Sequence, residues 1–336
     1  MRAVQMITPG KPDVLQSADV AEPAIDSPSQ VKVRLMGAGV NPIDTKLRSR
    51  GLFFDDALPA VLGCDGAGIV TAVGDAVTRF RTGEAVWFCH GGLGADQGNY
   101  AEYTVLDQEI AQPKPGKLTF AQAAAGPLVL ITAWEALFDR ARLEPERTLL
   151  IHAGAGGVGH VAIQLACLAG ARVCTTVSSD EKAEFVRALG ADYVINYRQE
   201  DLVASVLEWT QGKGVDIALD TVGPATFRQT IPAVAHYGDL VTLLDPGEVA
   251  WKEARNRNLR IGFELMLTPM LRPLPEARAH QGEILRRCAE WIDQGRLTLH
   301  VAQTFPLEQA ADAHRVLEAG HLQGKLVLTM ERSEDE

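Results

Sequence analysis

The sequence predicts a two-part α/β chain in which a parallel-sheet unit is inserted into a small β-barrel unit. Three observations predict it. Residues 1 to about 120 carry short alternating apolar runs broken by Gly and Pro, the period-2 pattern of half-buried strands. From about 120 to 265 strand and helix patterns alternate, which implies a parallel sheet with right-handed crossovers. A glycine-rich turn at 154–159 falls where one of those strands gives way to a helix. With 336 residues the chain has length for about two domains.

In the first region the clearest strands are 31–35, 68–74 and 85–88. In the second, 148–152 is a short apolar strand, and 158–169 is a helix that Gly170 can cap. A strand over 171–177 follows. Ser178 or Ser179 can start the next helix, and Ser178 with Glu181 fits a capping box. Strands at 193–197, 215–219, 239–244 and 259–263 complete the series. The section from about 268 opens on Pro269, Pro273 and Pro275, with helical patterns at 284–294 and 307–319 and a strand at 325–330. Residues 332–336 form a charged tail. This section is too short for a third domain, so it is expected to rejoin the amino-terminal region. The expected division is 1–125 plus 268–336 against 126–267.

Composition narrows the function. The net charge of −11 argues against nucleic acid and against anionic membrane as partners. The longest apolar stretch, 121–137, is interrupted by Gly126, Pro127, Thr132 and Glu135, short of the roughly 20 apolar residues of a membrane span. The five cysteines include no C-x-x-C pair, which argues against a disulfide scaffold and the common structural zinc spacings. The amino terminus lacks the basic-then-apolar pattern of a signal peptide. A cytoplasmic protein with reduced thiols is expected.

Gly154, Gly156 and Gly159 form G-x-G-x-x-G, with Gly157 and Val158 between them. After a strand and at the opening of a helix, this is the Rossmann dinucleotide fingerprint. The glycines serve the turn, the approach to a pyrophosphate and close helix–strand packing. The helix N-terminus then receives phosphate. An NAD-type site puts a carboxylate at the end of the next strand, but that strand ends at Val177. Ser178 and Ser179 can donate to a 2′-phosphate there and Lys182 can supply charge, so NADP is expected over NAD. Tyr197 is placed to close that pocket. Asp180 and Glu181 can simply favour the first turn of the next helix, and Lys182 can also be an ordinary solvated lysine.

Eight stretches carry a resemblance: AGVNPIDTKLRSRG from Ala38, LGCDGAGIV from Leu62, FRTGEAV from Phe80, GNYAEY from Gly98, ITAWEAL from Ile131, HAGAGGVGHVAIQLA from His152, LGADYVINY from Leu189 and GKLVL from Gly324. Over residues 1 to about 330 the chain resembles the medium-chain dehydrogenase/reductase superfamily, in its zinc-free NADPH:quinone oxidoreductase (zeta-crystallin-like) branch. The resemblance implies a GroES-like catalytic domain around the Rossmann domain, a homodimer paired through the strand at 258–264, and hydride transfer to a small quinone. It implies that Asn41 orients the nicotinamide or the substrate carbonyl and that Thr132 contacts the nicotinamide half. It implies that Lys325 reaches the cofactor phosphates. Asp44 is either catalytic or bonded to the backbone of its own loop. Val222 and Leu243 complete the expected cofactor-binding set.

Zinc members of the superfamily carry Cys at the position of Asn41, His-Glu at Cys64-Asp65, and Cys or an acid near Leu128. Asn, Cys and Leu do not make the three good protein ligands of a catalytic zinc, so no metal is expected. Cys89-His90 is read as packing, since neighbours on a strand point apart. Many relatives have Tyr where Lys46 and Phe53 stand, so the usual phenol proton donor is missing. Phe53 and Phe54 either wall an apolar pocket or belong to the core. The alternatives to a quinone reductase are an enone, alkenal or enoyl-thioester reductase, and a non-catalytic NADPH-binding protein.

Overall fold

The computed structural model describes residues 1–54, 57–272 and 274–330. Pro273 and the charged tail lie outside the described residues. The chain divides into two compact units, one of Met1–Leu128 with the chain from Leu267 onward, the other of Val129–Met266.

The first unit begins with β1 (Arg2–Met6), β2 (Leu15–Asp19), β3 (Gln30–Val40), α1 (Pro42–Arg50), β4 (Ala60–Val61), β5 (Asp65–Val73), β6 (Ala85–Cys89), β7 (Tyr103–Asp107), β8 (Gln112–Pro113) and α2 (Phe120–Ala124). The alternation seen in sequence sends Val31, Val33 and Leu35 of β3 into a core with Val70, Phe80, Val86, Phe88 and Leu106. Strand β3 is the hub, pairing antiparallel with both β5 and β7. At Gly39 a Cβ would lie 2.4 Å from the Ala124 carbonyl oxygen and 2.9 Å from Asp65 Cβ. Only glycine lets α2 and Asp65 close in on the end of β3.

The NPIDT segment is a helix, not the loop expected from sequence. Asn41 is extended at its N-cap and Pro42 opens its first turn, the position where a fixed φ and a missing N–H cost nothing. A further helix, α3 (Pro127–Trp134), runs into a π-helical turn over Glu135–Arg140.

The second unit holds β9 (Thr148–Ile151), α4 (Gly157–Leu168), β10 (Arg172–Val177), α5 (Asp180–Ala188), β11 (Tyr193–Asn196), α6 (Leu202–Trp209), β12 (Val215–Asp220), α7 (Pro224–Thr230), β13 (Val234–Thr242), α8 (Lys252–Asn256) and β14 (Arg260–Phe263). The six strands form one parallel sheet in the order β11-β10-β9-β12-β13-β14. The strand order reverses between β9 and β12, the switch point of a doubly wound fold, where ligands bind. Helix α5 is capped one residue later than the expected box: Ser179 Oγ accepts from Lys182 N–H at 3.4 Å.

The chain then returns to the first unit through α9 (Thr268–Leu271), α10 (Pro275–Asp293), β15 (Val301–Pro306), α11 (Ala310–Ala319) and β16 (Lys325–Thr329). Helix α10 is much longer than the stretch 284–294, and β15 was not expected. Strand β16 pairs antiparallel with β3, Leu326 facing Val40. That register brings Lys325 beside Asn41. No described helix is long and apolar enough to cross a membrane.

Candidate functional site

The turn after β9 is shaped by residues beside the glycines. Among residues 152–159 the left-handed backbone belongs to Ala153, at φ 51°, and to none of the glycines. The glycines are required for close approach instead. A Cβ on Gly154 would lie 2.1 Å from Thr175 Oγ1 on β10, and one on Gly159 would lie 2.3 Å from the Ala153 carbonyl oxygen. At Gly156 a Cβ would meet only that carbonyl oxygen, at 3.1 Å. Gly156 therefore leaves a bare backbone surface at the N-terminus of α4, whose first turn no side chain caps. A pyrophosphate fits this cradle and would meet N–H groups and a positive dipole end.

Beneath the turn, His152 is buried and neutral. Its Nε2 lies 2.7 Å from Thr230 Oγ1, and its Nδ1 lies 3.3 Å from Thr176 Oγ1. Thr176 Oγ1 in turn accepts from Ala153 N–H at 3.0 Å, which holds the left-handed residue in place. Burial pushes the imidazole down to about 4. A cleft of about 840 Å³ opens here, lined by His152, Ala153, Thr176, Tyr197, Val222 and Thr226 among others.

Tyr197 and Val222 are exposed on this cleft, 54% and 51%. The Val222 turn is set by buried Asp220, whose Oδ1 accepts from Val222 N–H at 3.0 Å and Gly223 N–H at 3.1 Å. Leu243 N–H donates to the Asp220 carbonyl at 3.0 Å, placing Leu243 in the same turn cluster. Val177 is buried, and Ser178, Ser179 and Lys182 are half-buried. Thr132 is buried on α3.

In the first unit a fully buried polar cluster surrounds Asn41. Its Nδ2 donates to Asp65 Oδ2 at 2.9 Å, and its Oδ1 accepts from Lys325 Nζ. Lys325 also donates to the Val40 carbonyl at 3.0 Å and lies 3.9 Å from Asp65 Oδ2. Asp65 Oδ1 accepts from Leu128 N–H at 2.7 Å. Both Asp65 oxygens accept and the lysine only donates, which is the pattern of an ionised pair. Burial pushes Asp65 up and Lys325 down, and each is partly restored by the other's charge.

Asp44, at the third position of α1, accepts through Oδ2 from Asn41 N–H at 2.8 Å and from Tyr100 O–H at 3.0 Å. The Tyr100 hydroxyl also lies 3.1 Å from His314 Nε2. Burial raises Asp44 to about 7 and lowers His314 to about 3. Asp44 thus bonds the backbone at the start of its own segment.

Lys325 is the clearest departure from expectation. The resemblance implies that it reaches the cofactor phosphates, yet its side chain is 4% exposed and its ammonium is engaged with Val40 and Asn41. The reason is the pairing of β16 with β3, which turns it inward. Asp65, Tyr100, His314, His152 and Asp220 were not singled out. For Asp65, Asp220 and His314 the signal in sequence is a charged or polar group within a strand or helix; Tyr100 and His152 lie in turns and carry no such signal. Phe53 and Phe54 are exposed, 50% and 37%, so they are not core. Cys89 is buried and His90 half-buried, with burial lowering His90 to about 4. Among the described residues no three His, Cys, Asp or Glu side chains gather as a metal site.

A doubly wound sheet with a glycine cradle at its switch point is the architecture of a dinucleotide-binding domain. Residues 27–116 match the alcohol dehydrogenase GroES-like domain and residues 189–328 match the zinc-binding dehydrogenase family. The chain is 37% identical to a quinone oxidoreductase of Pseudomonas aeruginosa over 331 residues, 97% of this chain and 99% of that protein. It is 34% identical to a 2-haloacrylate reductase of a Burkholderia species over 333 residues, 95% of this chain and 96% of that protein. The solved structure of Escherichia coli quinone oxidoreductase complexed with NADPH superposes with a TM-score of 0.86 at 31% identity, covering 98% of this chain and all of that one. This chain belongs to the medium-chain dehydrogenase/reductase superfamily, in its quinone oxidoreductase branch.

Proposed function

We propose that the protein is a zinc-independent, NADPH-dependent oxidoreductase that reduces a quinone. The observation that carries this reading is the likeness to the Pseudomonas quinone oxidoreductase over nearly the full length of both chains. The fit of the Gly156 cradle to a pyrophosphate supports the cofactor, and the related structure with NADPH supports its identity. The donor set supports zinc independence: where zinc relatives carry ligands, this chain has Asn41, whose Oδ1 faces an ammonium, Cys64 and Leu128, and only the cysteine is a good zinc ligand.

In this reading NADPH supplies the hydride. Gly154, Gly156, Gly157, Val158 and Gly159 hold the pyrophosphate. Ser178, Ser179 and Lys182 hold the 2′-phosphate, with Tyr197, Val222 and Leu243 around the remaining half. Asn41 orients the nicotinamide or the substrate carbonyl through its amide, and Thr132 contacts the nicotinamide half. We read 1–125 with 268–336 as the catalytic domain and 126–267 as the cofactor domain. Two copies pair through β14, whose Phe263 is exposed.

The test is NADPH oxidation against a panel of quinones and enones, with and without chelator. Turnover with quinones that chelator leaves unchanged is expected; chelator-sensitive turnover overturns zinc independence. The likeness to 2-haloacrylate reductase favours a second reading, reduction of an activated alkene, which faster turnover on enones would select.

A further inference from the structure

Asn41 is gripped by two groups of opposite character. An ammonium can only donate and a carboxylate can only accept, so Lys325 on Oδ1 and Asp65 on Nδ2 fix which way the amide points as well as the plane it lies in. We propose that Lys325 and Asp65 are positioning residues that clamp the Asn41 carboxamide, so that the amide is held toward the reacting molecules in one set geometry. This rests on the reading above for the role of Asn41; the clamp itself does not.

The placement supports more than a strut. All three side chains are buried, and a buried ion pair is a poor means of holding strands together, since a well-packed apolar pair does so at least as well. What an apolar pair cannot do is orient an amide. The anchors also come from different elements. Asp65 opens β5, held there by Leu128 N–H, and Lys325 opens β16, held by the Val40 carbonyl. Asp44 fixes the backbone N–H of the same residue from α1.

The first test needs no substrate. The chain has five asparagines, so protein labelled with 15N-asparagine gives five side-chain amide pairs, and Asn41→Ala identifies one of them. Lys325→Met and Asp65→Leu are each expected to move the Asn41 pair and leave the Asn196 and Asn256 pairs in place. An Asn41 pair that Lys325→Met leaves unmoved overturns the clamp.

The second test is a double-mutant cycle on NADPH oxidation. Lys325→Met is expected to lower kcat about 10–100-fold in the parent, and to change it less than about twofold in an Asn41→Ala background. The same factor lost in both backgrounds overturns the proposal. So does a raised KM for NADPH at unchanged kcat, which would return Lys325 to the phosphates. If Lys325→Met does not fold, Lys325→Met with Asp65→Leu removes both charges together; parental kcat in that variant overturns the proposal. A parent inactive on every quinone and enone sinks the functional reading alone, and the amide spectrum then decides the clamp.

Discussion

Thr230 Oγ1, 2.7 Å from His152 Nε2, donates its own hydrogen to the Thr226 carbonyl. It must therefore accept from His152 Nε2–H, which fixes the tautomer of a buried imidazole lying under the glycine turn. Thr230→Val removes that acceptor and leaves the N–H unsatisfied. A loss of about 1–3 kcal/mol of stability is expected in urea unfolding. Parental stability would show that the hydrogen bond does not form.

The glycines of the turn separate into two kinds by what a methyl group would strike. Gly159→Ala drives a Cβ against the Ala153 carbonyl oxygen and Gly154 Cα, so a lowered Tm is expected, by several degrees or more. Gly156→Ala meets only one atom, at 3.1 Å. It should keep a Tm near the parent's and lose NADPH affinity about tenfold or more, read by fluorescence titration. Unchanged affinity would remove the pyrophosphate from this surface.

Lys182→Ala is expected to weaken NADPH about tenfold and NADH less than twofold, the signature of a charge that meets the 2′-phosphate. Equal weakening of both would make Lys182 a solvated helix residue.

Asp44 should leave a signature in the pH dependence of stability. Burial raises its pKa from 3.8 in the unfolded chain to about 7 in the fold. A raised folded pKa means a contribution fully present below about 4 and lost as pH rises through about 7. Asp44→Asn removes it. The stability difference between variant and parent should therefore move in the variant's favour from pH 4 to 7, by about 1 kcal/mol or more, and then level off. A difference that is flat across that range would mean Asp44 ionises in the fold as freely as in water.

Much of the second unit was legible because its signals are local. Most strands are short apolar runs, α4, α5 and α7 start at a Gly or Ser, and the glycine turn is contiguous in the chain. The first unit was harder where burial departs from period. Strand β15 presents mostly exposed side chains with Phe305 as its buried anchor, so it reads as a connector. The first two turns of α10 are polar, with Gln281 the first buried residue, so they carry no apolar stripe. The α1 helix hid behind Asn-Pro, which also opens turns. The Asn41 cluster could not be read at all, because it depends on the register of β16 against β3, set by residues 284 positions apart. Sequence names Lys325; only the pairing of strands says which way it points.

The positive charge beside Asn41 has a further consequence. It is covalently part of the polypeptide, delivered with the last strand of the fold when β16 closes on β3. The occupancy of that position is one per chain from the moment folding ends.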